Sequence, residues 1–210
     1  MTGMSMPQTW YGAAAGYLGM WLAMMVPMMT PSLVPMLSRY RRSVRGAHGI
    51  HRHGLTALVC GGYFVVWAAL GVWAYAAGSA LTAIELRWEP DARWLLVAPG
   101  AVLLAAGALQ LTAWKARRLA LCRKETEDAC LLPPDALAAW RHGLRLGMRC
   151  SLSCGNLMVM LLAIGMMDPM AMAAVTAAIS AERLAPAPLR VARVSGWAII
   201  AMGTLTIARI

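Results

Sequence analysis

The apolar residues of this chain gather in blocks close to twenty residues long, separated by short polar stretches. A bilayer core near 30 Å is crossed by about 20 apolar residues of helix, and in lipid a helix satisfies its own backbone groups. The first such block runs from Tyr11 to about Leu37; no cleavage-site pattern with a charged leader precedes it, so it reads as a span rather than a removed signal peptide. Further blocks cover Leu55–Gly78, Trp94–Trp114, Met148–Met167 and Val191 to about Ile207, and Asp168-Pro169 introduces a short segment, Pro169–Arg183. With 60% hydrophobic and 13% charged residues and a mean hydropathy of +0.60, the chain is neither a disordered tail nor an ordinary soluble enzyme. The expected fold is all-α: a polytopic transmembrane helical bundle of five to six spans forming one integral membrane domain over residues 1–210. The count depends on whether the segments flanking Asp168-Pro169 cross separately or form a re-entrant hairpin.

A net charge of +10 first suggests nucleic acid, but the positions of the charges argue otherwise. Apart from Arg87, Arg93 and Arg209, all 19 lysines and arginines fall within Arg39–Arg52, Lys115–Arg149 and Arg183–Arg193. These stretches alternate with apolar spans, the positive-inside pattern of cationic loops that resist translocation and meet anionic lipid. The stretch Ser79–Arg93, with Glu85, Glu89 and Asp91, is slightly acidic and is placed outside. The expectation is a multi-pass protein of a bacterial inner membrane with both termini outside, the lipid bilayer as its partner, and no nucleic acid. Residues 115–149 read as a cytoplasmic loop. Within it, Pro133-Pro134-Asp135 starts an amphipathic helix carrying Leu137, Trp140 and Leu144 opposite Arg141 and Arg145.

Three short stretches carry candidate chemistry. In the first block, Met20, Met24 and Met28 share a helical face with Met25 and Met29 beside it, and Pro27, Pro31 and Pro35 recur every four residues. Thioethers are soft, uncharged donors suited to Cu(I); methionine is equally a flexible filler of irregular cores. Cys150, Cys154 and Met158 are spaced i, i+4, i+8 on one face. Two thiols so placed can share a metal, and small residues there can equally serve close helix contact. Asp168 either caps the helix beginning at Pro169 or joins Met167 and Met170 as a metal-accepting mouth. Glu182, next to Arg183, reads as half of a solvated ion pair. His48, His51 and His53 sit in an arginine-rich loop, a poor metal site, and His142 reads as interfacial. Cys122 and Cys130 are loop thiols without C-x-x-C spacing, and Cys60 is a packed small hydrophobe. No phosphate loop, G-x-S-x-G, H-E-x-x-H or paired carboxylates are present, so no enzyme motif is seen.

The sets W-x-x-M-x-x-x-M-M-x-P at Trp21–Pro31, C-x-x-x-C-x-N-L-M at Cys150–Met158, and G-M-M-D-x-x-x-M at Gly165–Met172 followed by Glu182-Arg183-Leu184 resemble DUF2182, a bacterial family described as predicted metal-binding integral membrane proteins. The resemblance covers roughly Gly19 to Pro186. Many members carry a further cysteine where this chain has Ser153, and a C-L-x-x-C where it has Arg118 and keeps only Cys122. The methionines are retained, which shifts weight toward a thioether site and copper. The resemblance therefore implies binding of a soft metal, copper first, in metal homeostasis, delivery or metalloprotein assembly. Its ligands would be drawn from Met24, Met25, Met28, Met29, Cys150, Cys154, Met158, Met167, Asp168 and Met170. The competing readings are a structural or assembly subunit of a larger membrane complex, with partner subunits and no metal, and a membrane-bound copper-dependent oxidase.

Overall fold

A computed structural model of the chain describes residues 10–44, 49–88, 92–128, 135–164 and 168–209. The described residues form seven helices and no strand: α1 (Trp10–Ser43), α2 (Gly49–Trp88), α3 (Ala92–Gln110), α4 (Ala113–Asp128), α5 (Ala136–Ile164), α6 (Pro169–Leu184) and α7 (Pro188–Ala208). Three stretches, Gly12–Ser43, Ile50–Ile84 and Pro188–Ala208, are long and apolar enough to cross a membrane. Leu96–Gln110 with Ala113–Cys122, bent by 65°, makes a fourth if it is one broken span. Met167, His48, Cys130, Pro133, Pro134, Glu89 and Asp91 lie outside the described residues.

The structure departs from the sequence reading at the loops. Ser79–Trp88, expected as an outer loop, continues α2, because no proline interrupts the chain until Pro90. At 40 residues α2 is about 60 Å long, and the residues from Ala76 to Ile84 all lie exposed on it. Residues 115–149 are helical over most of their length. Lys115, Leu119 and Cys122 form an inward stripe on α4. From Ala136, α5 runs unbroken into the apolar stretch beyond Met148, with Asp135 Oδ2 accepting from the Ala138 amide at 3.3 Å. One buried stripe, through Ala139, His142, Leu146, Cys150, Ser153, Leu157 and Leu161, runs the length of α5. His142 is thus not interfacial: it is buried and stacked on Tyr40, ring centroids 5.8 Å apart.

Backbone-level contact between helices is made by glycine. A Cβ at Gly62 would stand 2.7 Å from the Trp140 carbonyl oxygen, and one at Gly143 would stand 2.3 Å from that of Val59. A second glycine seam joins α3 to α7, where Gly107 faces the Gly196 carbonyl and Gly203 that of Gly100. Small residues let helices approach until dispersion contacts hold them. Gly143→Ala is expected to cost about 1–3 kcal/mol, because backbone rather than a side-chain tip must give way. Gly54→Ala, in open space on α2, is expected to be neutral or stabilising. Denaturant titration of the two variants in detergent compares them directly.

α1 keeps its helix through Pro27, Pro31 and Pro35. Each proline removes one backbone donor, and neighbouring hydroxyls take up carbonyls nearby: Ser32 Oγ donates to Met29 O at 3.0 Å and Ser38 Oγ to Pro35 O at 2.8 Å. The inward face of α1 carries Trp21, Met25, Met28, Met29, Leu33, Met36 and Tyr40. Trp21 Nε1 donates to the Trp67 carbonyl at 3.0 Å, passing over Gly71, where a Cβ would meet the indole at 2.7 Å.

Candidate metal centre

The inward stripes of α1, α2, α5 and α6 meet around a cluster of sulfur. Cys150 Sγ lies 3.9 Å from Met29 Sδ and 3.9 Å from Cys154 Sγ, and Tyr63 Oη stands 2.9 Å from Cys150 Sγ. Cys154 Sγ donates back along its own helix to the Cys150 carbonyl at 3.0 Å. All four side chains are buried, Met29, Tyr63 and Cys150 completely. The i, i+4 spacing of the cysteines puts both thiols on one side of α5, and the inward methionine face of α1 supplies the thioether.

This donor set suits a soft ion. Sulfurs that each sit about 2.3 Å from one shared metal stand about 3.8–4.0 Å apart at tetrahedral to trigonal angles, the spacing seen from Cys150 to both of its sulfur neighbours. Thiolate and thioether together favour Cu(I) over hard cations. Among the described residues no group of three or more His, Cys, Asp or Glu side chains is placed to hold a metal. A site here with more than two ligands would therefore draw on methionine.

The other residues singled out in the sequence are placed differently. Met25, Met28 and Met158 are buried in the same core, and Met24 is partly buried against it. Asp168 is exposed and caps α6, its Oδ1 accepting from the Met170 amide at 2.9 Å. Met170 is 77% exposed. Both line an apolar groove of about 550 Å³ between α5, α6 and α7, with Met160 and Met202. Cys122 is not a loop thiol but a buried residue of α4. Glu182 is no solvated partner of Arg183. Consecutive helical residues do not face each other, and the two side chains serve different neighbourhoods.

Glu182, 2% exposed, pairs with Lys115, 1% exposed, at 2.8 Å. Lys115 also donates to the Ser153 carbonyl and reaches Asn156 Oδ1 at 3.4 Å. Glu182 Oε1 accepts from Gln110 Nε2 and, at 3.1 Å, from Ser195 Oγ, while Gln110 Oε1 accepts from Asn156 Nδ2. Five helices, α3 to α7, thus share one buried polar network beside the sulfur cluster. Arg183 turns the other way. Its charge acts on Cys150, Cys122, Cys154 and Tyr63, and none of its three guanidinium nitrogens has a hydrogen-bond partner among the described residues. Tyr63, Lys115 and Arg183 were not selected from the sequence. The signal for Lys115 was available, since it shares a helical stripe with Leu119 and Cys122.

Among the described residues the protein is all-helical, with three to four candidate membrane spans and a buried thiol–thioether cluster. The chain belongs to the copper chaperone family PpoB2, which matches it over residues 18–206. That match supports the copper connection drawn from the resemblance above, under a different family name. No curated protein and no solved structure matches the chain.

Proposed function

We propose that this protein is a membrane-embedded chaperone that holds Cu(I) between Cys150, Cys154 and Met29 and passes it to a copper-requiring protein. The observation that carries the reading is the buried Met29–Cys150–Cys154 sulfur cluster, in a chain whose family is that of copper chaperones. Met25, Met28 and Met158 would supply alternative thioethers alongside it. Asp168 and Met170, with Met167, would form an outer mouth where the ion is received.

In this reading α1, α2, the bent α3–α4 pair, the apolar half of α5, α6 and α7 make six crossings. α6, at 16 residues or about 24 Å, is a short one. The basic stretches around Arg39–Arg52, Lys115–Arg149 and Arg183–Arg193 lie on the cytoplasmic side of a bacterial inner membrane, with both termini outside. The lipid bilayer and a recipient membrane protein are the partners, and nucleic acid has no role.

The test is elemental analysis of the detergent-purified, reduced chain after loading with Cu(I) and removal of free metal. About one copper per chain is expected. Copper far below stoichiometry, with fixed partner subunits co-purifying, would replace this reading by that of a structural subunit.

A further inference from the structure

Arg183 is 7% exposed, and all three of its guanidinium nitrogens lack a partner among the described residues. A buried guanidinium without a carboxylate is costly, because its hydration is lost and no opposite charge offsets the loss. The carboxylate beside it in sequence is already engaged: Glu182 pairs with Lys115, and those two charges cancel. Among the described residues that leaves the charge of Arg183 without a carboxylate, within electrostatic reach of the thiols of Cys150, Cys154 and Cys122 and the phenol of Tyr63.

We propose that Arg183 is the specificity-determining residue of the sulfur cluster: its fixed positive charge balances a monovalent soft cation held by two thiolates and leaves a divalent cation uncompensated, so that the cluster takes Cu(I) and turns away Zn(II). The inference rests on the reading that Cys150 and Cys154 take copper. When Cu(I) binds, each thiol releases its proton to solvent and no electron is exchanged. Cu(I) with two thiolates carries one negative charge, the Met29 thioether adds none, and Arg183 brings the set to neutrality. Zn(II) with the same ligands is neutral by itself, so Arg183 leaves a net positive charge in an apolar interior. Low effective dielectric makes that difference large there and small on a surface.

The experiment offers Cu(I) and Zn(II) together, at equal concentration and against a chelator of known affinity for each, to the reduced full-length chain in detergent. Retained metal is measured by elemental analysis. The wild type is expected to retain Cu(I) in preference to Zn(II), and Arg183→Lys, which keeps the charge, to show the same preference. Arg183→Gln is expected to move the copper-to-zinc ratio toward zinc by at least about tenfold. Circular dichroism and size-exclusion profiles matching the wild type establish that the variant is folded.

A wild type that retains Zn(II) as well as Cu(I) overturns the proposal, as does a folded Arg183→Gln with an unchanged ratio. If the neutral variant does not fold, Arg183→Lys decides: a preserved preference supports the proposal and a lost one overturns it. A wild type that retains neither metal overturns the copper reading itself and the inference with it. That result is distinct from copper retained with a ratio indifferent to Arg183.

Discussion

Lys115→Met is expected to destabilise the protein by about 3–5 kcal/mol, a large share of the stability of most domains. The substitution keeps an unbranched apolar side chain only one atom shorter and removes the charge and donors. Glu182 would then be a buried carboxylate whose cation, 2.8 Å away in the wild type, is gone. The carbonyl of Ser153 would lose its donor as well. Glu182→Leu is expected to cost about as much in the reverse sense, leaving an ammonium buried among α4, α5 and α6. The double variant, Lys115→Met with Glu182→Leu, is expected to lie within about 1–2 kcal/mol of wild type, because neither charge is then left alone. Gln110 and Ser195 keep each other as partners at 3.0 Å. Denaturant unfolding of the three variants in detergent provides the comparison. Costs in the double that simply add would mean the two residues are not coupled.

Met29→Leu is expected to weaken Cu(I) retention by tenfold or more while leaving the fold intact. Leucine nearly matches the volume of methionine, and such exchanges usually cost less than about 1.5 kcal/mol in a core. The variant therefore isolates the Sδ that lies 3.9 Å from Cys150 Sγ. Met24→Leu, at a partly buried position outside the sulfur contacts, should leave copper unchanged. Cys150→Ser with Cys154→Ser should abolish retention altogether, since a hydroxyl is a hard donor and a poor match for Cu(I). Competition titrations with a Cu(I) chelator resolve the series. Full affinity in Met29→Leu would remove the thioether from the site and leave the thiols as its only ligands.

The residues legible in the sequence were those whose spacing works within one helix. Met25 and Met29 on α1 and Cys150 and Cys154 on α5 share faces at i, i+4, so local periodicity was enough to single them out. What could not be read was which face meets which. Tyr63 reaches Cys150 from α2, and Lys115 reaches Glu182 from α4. Each pairing depends on how whole helices are set against one another, which is plain only in three dimensions; the glycine seam between α2 and α5 sets the first of them. Adjacency was misleading at Glu182-Arg183, because consecutive residues on a helix diverge by about 100°. The ends of α2 were misplaced for a different reason. A change from apolar to polar residues marks where a membrane would end, and a helix continues until its backbone is interrupted.

The two sides of the sulfur cluster differ in mechanical compliance. Its thiols stand on α5, which is clamped to α2 through Gly62, Gly143 and Gly147 with backbone against backbone, a joint that cannot slide without collision. Its thioether stands on α1, a helix with three rungs of its hydrogen-bond ladder missing at Pro27, Pro31 and Pro35. Bending therefore concentrates in α1, next to Met29. A deformation large enough to open the cluster parts thioether from thiols and leaves Cys150 and Cys154 together on their rigid mount.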